Sequence, residues 1–427
     1  MKGRLNLFQS MMLRWREIHP YNAVHVVAIP RPMDAAQLAR DIDTYRERAG
    51  LTGLLLDAPG RRYEYRGGAA HTAVTTLAGH ADPDAVVRAE MERQLNAPFP
   101  ATGPIEPFRF FAVDAGARFY LGVAYDHFIA GGDSIVVLLK RITDLHMGAP
   151  SIAETQELYP PTFVRLFARH ALSLATGLPH FAGILASCRR AARPPFPGGD
   201  DPGNGLVQHT IDGANFANLA RVAAAWGVTG NELLIAILLR ALSPFAAERW
   251  SGRRNQLAIG SIINVRNDYQ PGPTRVFGQF LSSCRVANPV PPGMSLRDLA
   301  ADVHAQLGRV RRRRLYLQML VMIAVAGRVW RFLSPVQRAR FHAKNYPLMA
   351  GITPLNVNAL WREAGGSAPP RYLRAVSTGP LAPLVVAATK AGSALELGFT
   401  YRTAAFSRDD VARIAGAVQD ALATLEA

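Results

Sequence analysis

The sequence predicts an α/β protein of two similar lobes, each a mixed sheet covered by helices. Three observations carry this expectation. Apolar runs of strand length alternate with segments of helical period along the whole chain. A stretch dense in chain breakers, Pro194–Gly205 (PPFPGGDDPGNG), interrupts the pattern near the middle. The segments on either side hold comparable sets of elements, and no repeat of 20–50 residues is visible. The expected organisation is one lobe over residues 1–190, a linker over 191–205 and a second lobe over 206–427.

The elements follow from local chemistry. Tyr21–Pro30 reads as a strand, and Leu38, Ile42 and Tyr45 lie on one face of a helix over Asp34–Arg48. Leu51–Leu56 is a short strand, and Asp82–Leu95 a helix with a proline at its start. Phe108–Val113 and Arg118–Tyr125 form a hairpin around Asp114-Ala-Gly-Ala. A helix over Ser134–Leu145 and a largely helical stretch over Thr162–Arg193, broken near Gly177, complete the first lobe. In the second, a strand at Val207–Ile211 precedes helices near Ala214–Ala225 and Asn231–Leu242. Strands at Leu257–Val265 and Phe280–Val286 lead to long helices over Leu296–Arg314 and Leu315–Phe332. Strands at Tyr372–Ser377, Leu384–Thr389 and Leu395–Tyr401 precede a closing helix opened by Ser407-Arg-Asp-Asp.

Composition excludes several classes. With 49% hydrophobic and 19% charged residues, the 427-residue chain has ample material for a large core and is not disordered. Cys188 and Cys284 are too few for a disulfide scaffold and show no metal-ligand spacing, which fits a reducing compartment. Met1–Pro20 is interrupted by charges and does not read as a secretory signal. The longest apolar run, Leu315–Gly327, is broken by Gln318 and falls short of the ~18–20 residues that span a bilayer. A soluble, cytoplasmic protein is expected.

The charge balance is the outlier: Lys+Arg number 48 against 32 Asp+Glu, a formal net charge of +16. Such a balance suits an anionic partner. Val303–Leu360 contains no acidic residue but holds Arg309, Arg311, Arg312, Arg313, Arg314, Arg328, Arg331, Arg338, Arg340 and Lys344. No basic groove interleaved with aromatics accompanies them, so nucleic acid is not expected. An acidic carrier protein, an anionic membrane surface and the phosphates of coenzyme A remain open.

The richest segment is Tyr125–Ser134 (YDHFIAGGDS). A strand delivers His127 to its end, Gly131 and Gly132 permit a sharp turn, and Asp133 or Ser134 caps the following helix. A histidine so placed suits a general base, because its unperturbed pKa lies near neutrality.

This segment resembles the HHxxxDGxS motif of the chloramphenicol-acetyltransferase-like superfamily, which includes condensation domains, polyketide-associated acyltransferases and wax-ester synthases. The second His falls on His127, the Gly on Gly132 and the Ser on Ser134. Asp126 stands at the first His and Gly131 at the Asp. Other segments agree in order: Asn6–Ser10 with His19–Asn22, Ile259–Arg266, Val276–Ser282, Gly351–Asn358, and Leu395–Tyr401 with the helix after Ser407.

The resemblance implies two lobes with a channel between them, and His127 as the base in acyl transfer from a thioester to an alcohol or amine. The donor would sit on the phosphopantetheine of an acyl or peptidyl carrier protein, or on coenzyme A, and no permanently bound cofactor or metal is implied. The family's acid pairs with an arginine of the second lobe; here Arg266 is the match, with Asp133 the first choice of partner and Asp126 the other. Thr353, Asn356 or Asn358 would supply an oxyanion or substrate contact. Arg311–Arg314 would dock an acidic carrier protein. The loss of the acid at Gly131 keeps a catalytically silent scaffold as an alternative, and the apolar-basic segment keeps a lipid-surface protein as another.

Overall fold

In the computed structural model, residues 2–79, 81–149, 157–158, 163–177, 179–195, 203–248, 250–269 and 276–426 are described. Two mixed sheets organise them. The first has five strands in the order Tyr372–Val376, Asn22–Ile29, Phe119–Asp126, Phe108–Asp114 and Val74–Ala78, parallel only at its last pair. The second has six strands in the order Asn204–Ile211, Ala394–Arg402, Leu384–Ala391, Ala350–Asn356, Leu257–Asn264 and Leu281–Asn288. Ala350–Asn356 runs parallel to both of its neighbours. A four-stranded sheet of short strands, from Lys2–Arg4 to Gly103–Ile105, flanks the first lobe.

The first sheet is buried on both faces, so its central strands are apolar throughout rather than alternating. Val24, Val26 and Ala28 pack on one side against Val87, Met91 and Leu95 of the helix Pro83–Asn96. Ala23, Val27 and Ile29 face the larger core on the other side. The second sheet packs against helices Gly230–Ala247, Leu296–Arg312 and Arg408–Ala423. Each buried Leu, Ile or Val contributes about 1.5–3 kcal/mol relative to exposure.

Helix boundaries follow their caps. Asp34 accepts from the Gln37 amide and starts Ala35–Arg48, and Ser407 with Asp410 forms the capping box of the last helix. The long basic-apolar segment is two helices, Leu296–Arg312 and Tyr316–Val329, bent by 78°. Arg314 makes the corner at φ 48°. Among the described residues no single helix is long and apolar enough to cross a membrane, although three bent pairs meet the length and composition test together.

The chain departs from the sequence expectations in four respects. Strand Tyr372–Val376 lies in the first sheet, although its residue number falls within 206–427, so a cut by position alone does not separate the sheets. The expected linker ends inside a strand, because pairing of Asn204 and Gly205 with Arg402 and Tyr401 starts the ladder there; residues 196–202 lie outside the described set. The helix after the histidine begins at Gly132, with Gly131 at its N-cap and no side-chain cap bond. Asp133 and Ser134 therefore lie in its first turn and do not cap it. Helices Leu7–Arg16, Pro335–Asn345 and Val357–Glu363 are additional to the expected set.

Candidate active site

The ladder between Asn22–Ile29 and Phe119–Asp126 sets the histidine. Asn22 pairs with Asp126 and Ala23 with Tyr125, and the His127 amide donates to the Tyr21 carbonyl at 3.1 Å. His127 thus follows the end of the sheet's central strand, only 7% exposed. Gln279 holds the turn from the other lobe, its Nε2 donating to the His127 carbonyl at 2.8 Å and to the Ala130 carbonyl at 3.2 Å. The Gly131 amide donates to the Gly278 carbonyl at 2.9 Å.

The acid missing from position 131 is replaced from two residues further on. Arg266 Nε donates to Asp133 Oδ2 at 2.7 Å, and Asn264 Nδ2 donates to the same oxygen at 2.8 Å. Arg266 Nη2 donates to Ser134 Oγ at 2.8 Å, and its guanidinium lies 4.1 Å from the Phe280 ring centre. Burial pushes the Asp133 carboxyl upward, but the Arg266 charge and these hydrogen bonds outweigh it and hold it below the usual carboxylate range. A Cβ on Gly131 would lie 2.8 Å from Asp133 Oδ1 and 3.2 Å from Gln279 Oε1. Asp133 therefore occupies the space that a longer residue at 131 would need. Asp126 takes a different partner: it pairs with Arg16 of the first helix, and burial raises it to about 6 despite that cation.

A cavity of about 660 Å³ opens between the two sheets. His127, Tyr21, His25 and Tyr125 line it from the first lobe, and Gly260, Ile262 and Asn264 from the second, where the period-2 alternation turns them to one face. Its far side is apolar, built from Met319, Met322, Ile323, Ala326 and Val329 of the helix Tyr316–Val329 with Phe181 and Leu185. Val325 and Val329 line the cavity and are also 53% and 43% exposed, so it reaches the surface at that helix.

Burial disfavours the charged form of the cavity histidines His127 and His25. Burial brings His127 down to about 4, opposed by the Ala130 carbonyl and reinforced by the Arg374 charge. Burial likewise holds His25 well below its ordinary value. His25 Nδ1 lies 2.8 Å from the Tyr372 hydroxyl. Among the described residues no carboxylate hydrogen-bonds to the His127 ring, so the imidazole is exposed to the cavity without the orienting acid of a triad.

The remaining sequence candidates separate. Thr353 lines the cavity, and its Oγ1 accepts from Arg374 Nη2 at 3.1 Å. Asn356 is the N-cap of the helix Val357–Glu363, accepting from the Ala359 amide at 3.2 Å. Asn358 exchanges two hydrogen bonds with Gly392, at 2.7 and 2.8 Å. Both asparagines thus spend their amides on backbone and do not line the cavity, which corrects the sequence expectation for them. Arg312, Arg313 and Arg314 are exposed at the helix corner. Arg311 pairs with the buried carboxylate of Glu232. Sequence reasoning did not single out His25, Gln279 or Arg374; a cation inside the apolar strand Tyr372–Val376 was the one local signal for the last.

No family model and no curated protein matches the chain in sequence. Solved structures do. The first condensation domain of the CDA synthetase superposes with a TM-score of 0.71 at 16% identity, covering 98% of this chain and 97% of that one. The epimerization domain from the third module of tyrocidine synthetase B gives 0.67 at 15%, covering 99% and 95%. The starter condensation domain of rhizomide synthetase, in complex with C8-CoA and Leu-SNAC, gives 0.67 at 14%, covering 99% and 94%. The chain therefore has the two-lobed fold of these condensation and epimerization domains, the fold that the motif's resemblance implies.

Proposed function

We propose that this protein is a condensation-type acyltransferase. It would move an acyl group from a thioester, on a carrier-protein phosphopantetheine or on coenzyme A, to an amine or alcohol. The observation that carries the reading is the position of His127: a buried, neutral imidazole at a strand end, opening into an apolar cavity between the two sheets.

The chemistry needs little else. A thioester carbonyl is already activated, so orientation and a base suffice. The acyl chain lies along Met319–Val329, and the acceptor approaches His127. The imidazole takes the acceptor's proton as it attacks the carbonyl, and returns it to the departing thiolate. Ser134 is not the nucleophile: its Oγ accepts from Arg266 and bonds with Gly278, which hold it in the lobe junction. The Arg266–Asp133 pair and Gln279 fix the loop that carries the base. Thr353 is the one oxyanion candidate from the sequence that lines the cavity.

The test is acyl transfer followed by mass spectrometry, with a panel of carrier-protein and coenzyme A thioesters against amine and alcohol acceptors. Transfer that falls about 10²-fold or more in His127→Ala, with an unchanged melting temperature, supports the role. Equal transfer in the variant removes it. No transfer from any donor favours a silent scaffold.

A further inference from the structure

Arg374 lines the cavity and forms no salt bridge with a carboxylate among the described residues. It lies on strand Tyr372–Val376 opposite His25 and is 3% exposed. Its Nη2 reaches the second sheet, donating to the Thr353 carbonyl at 3.2 Å and to Thr353 Oγ1 at 3.1 Å. Its Nε and Nη1 meet no hydrogen-bond partner among the described residues, yet the side chain lines the cavity. Asp133, the carboxylate that lines the same cavity, is already held by Arg266 and Asn264. A guanidinium carries five N–H donors and stays charged. Burying one without an anion costs several kcal/mol. A cation kept in such a place gains its counter-charge from what enters the cavity.

We propose that Arg374 is the receptor for a carboxylate on the acyl acceptor, which is a free amino acid. The inference rests on the acyl-transfer reading above. Charge and position select the ligand. One guanidinium balances one carboxylate, whereas a phosphate dianion calls for a second cation, and among the described residues that line the cavity Arg374 is the sole Lys or Arg. The acyl chain has the apolar side of the cavity. Arg374 and His127 both line the cavity. An α-carboxylate held there sets the α-amine, two bonds away, inside the cavity that His127 lines.

The step balances without a further reagent. The amine, bound as the free base, attacks the thioester carbonyl, and the C–N bond forms as the C–S bond breaks. The amine proton passes through His127 to the departing sulfur. The products are an N-acyl amino acid, its carboxylate still on Arg374, and a free thiol.

The experiment compares acid and carboxamide forms of the same molecules. In the transfer assay, each amino acid runs beside its carboxamide, in wild type, Arg374→Gln and Arg374→Lys. In a direct arm that needs no turnover, titration calorimetry measures N-octanoylglycine against N-octanoylglycinamide. We expect wild type to favour the acid about tenfold or more in both arms, Arg374→Gln to abolish the preference, and Arg374→Lys to weaken it. Equal use and equal binding of acid and amide by wild type overturn the proposal, and this comparison stands even if a variant fails to fold. A loss of both substrates alike in Arg374→Gln also overturns it, because it assigns Arg374 to holding Thr353 or the oxyanion. Absence of transfer together with selective binding of the acid fails the transfer reading alone.

Discussion

Arg266 reaches across the lobe junction to Asp133, with Nε 2.7 Å from Oδ2, and not to the position two residues earlier where its partner stands in the motif that the sequence resembles. Both side chains are nearly fully buried, at 5% and 7% exposure. Removing one partner of such a pair costs about 3–5 kcal/mol, because the other charge is left buried and unpaired. Gly131 follows from the same geometry. Its φ of −76° suits any residue, but its Cβ direction points at Asp133 Oδ1.

The acid is therefore expected to be movable but not duplicable. Gly131→Asp alone sets two carboxylates against one guanidinium and lowers the melting temperature. Asp133→Gly alone removes the carboxylate that Arg266 Nε donates to and also lowers it. The double variant Gly131→Asp/Asp133→Gly restores the pair from the original motif position and recovers most of the loss. A double-mutant cycle by thermal and urea unfolding checks this, and additive losses would show that Arg266 does not depend on one acid.

How much of this was legible in the sequence depends on distance along the chain. The loop of His127 was readable because strand, glycines and helix start lie within ten residues, and the hairpin before it carries its own turn. The Arg266–Asp133 contact spans 133 residues and was reached through the motif's logic of an acid and an arginine. Arg374 and His25 were not reachable, since only the antiparallel register of two strands about 350 residues apart sets them side by side. Asn356 and Asn358 show the converse error. Polar residues near a strand end suit an oxyanion site, but Asn356 ends its strand as a helix cap and Asn358 is already in the next helix, bonded to Gly392. The strand Tyr372–Val376 shows the limit for the lobes: its sequence reads as a strand, and nothing in it says which sheet it joins.

Acid should destabilise the fold through its buried histidines. His342 accepts from Trp15 Nε1 at 2.9 Å through Nε2, so it must be unprotonated there, and burial brings it down to about 3. His127 at about 4 and His25, well below its ordinary value, shift the same way. Depressed histidines bind fewer protons folded than unfolded, so their contribution is present above the unfolded pKa of ~6.5 and is lost as pH falls from there towards the folded values. The slope is about 1.4 kcal/mol per pH unit for each fully titrating group. Asp126, raised by burial, opposes this slope between its unfolded value and about 6. Unfolding curves between pH 7 and 4 should show stability falling, and His342→Gln should flatten the fall by its share. An unchanged slope in that variant would remove His342 from the account.

The basic corner between the two bent helices is the place where an anionic partner is expected, and the structure narrows which arginines to test. Arg311 pairs with Glu232, whose carboxylate side chain is fully buried and also meets His304. Reversing Arg311 would therefore strand that acid and confuse docking with unfolding. Arg312 and Arg313 are exposed, and Arg313 meets His180. They stand beside the helix through which the cavity reaches the surface. Long-range charge attraction raises the encounter rate and is screened within a Debye length of about 8 Å at physiological salt. Arg312→Glu/Arg313→Glu should raise the apparent KM for a carrier-bound donor about tenfold at low salt, less at high salt, and leave a small pantetheine thioester nearly unchanged. Equal losses for both donors would place these arginines in the fold and not in docking. Past the other end of that helix lie Phe332, 88% exposed, and Val336, 62% exposed, with Arg328, Arg331 and Arg340 nearby in sequence. Vesicle sedimentation distinguishes the two anionic partners. If the charge-reversed protein loses binding to anionic vesicles while its KM for the carrier-bound donor stays fixed, the corner faces lipid and the carrier docks elsewhere.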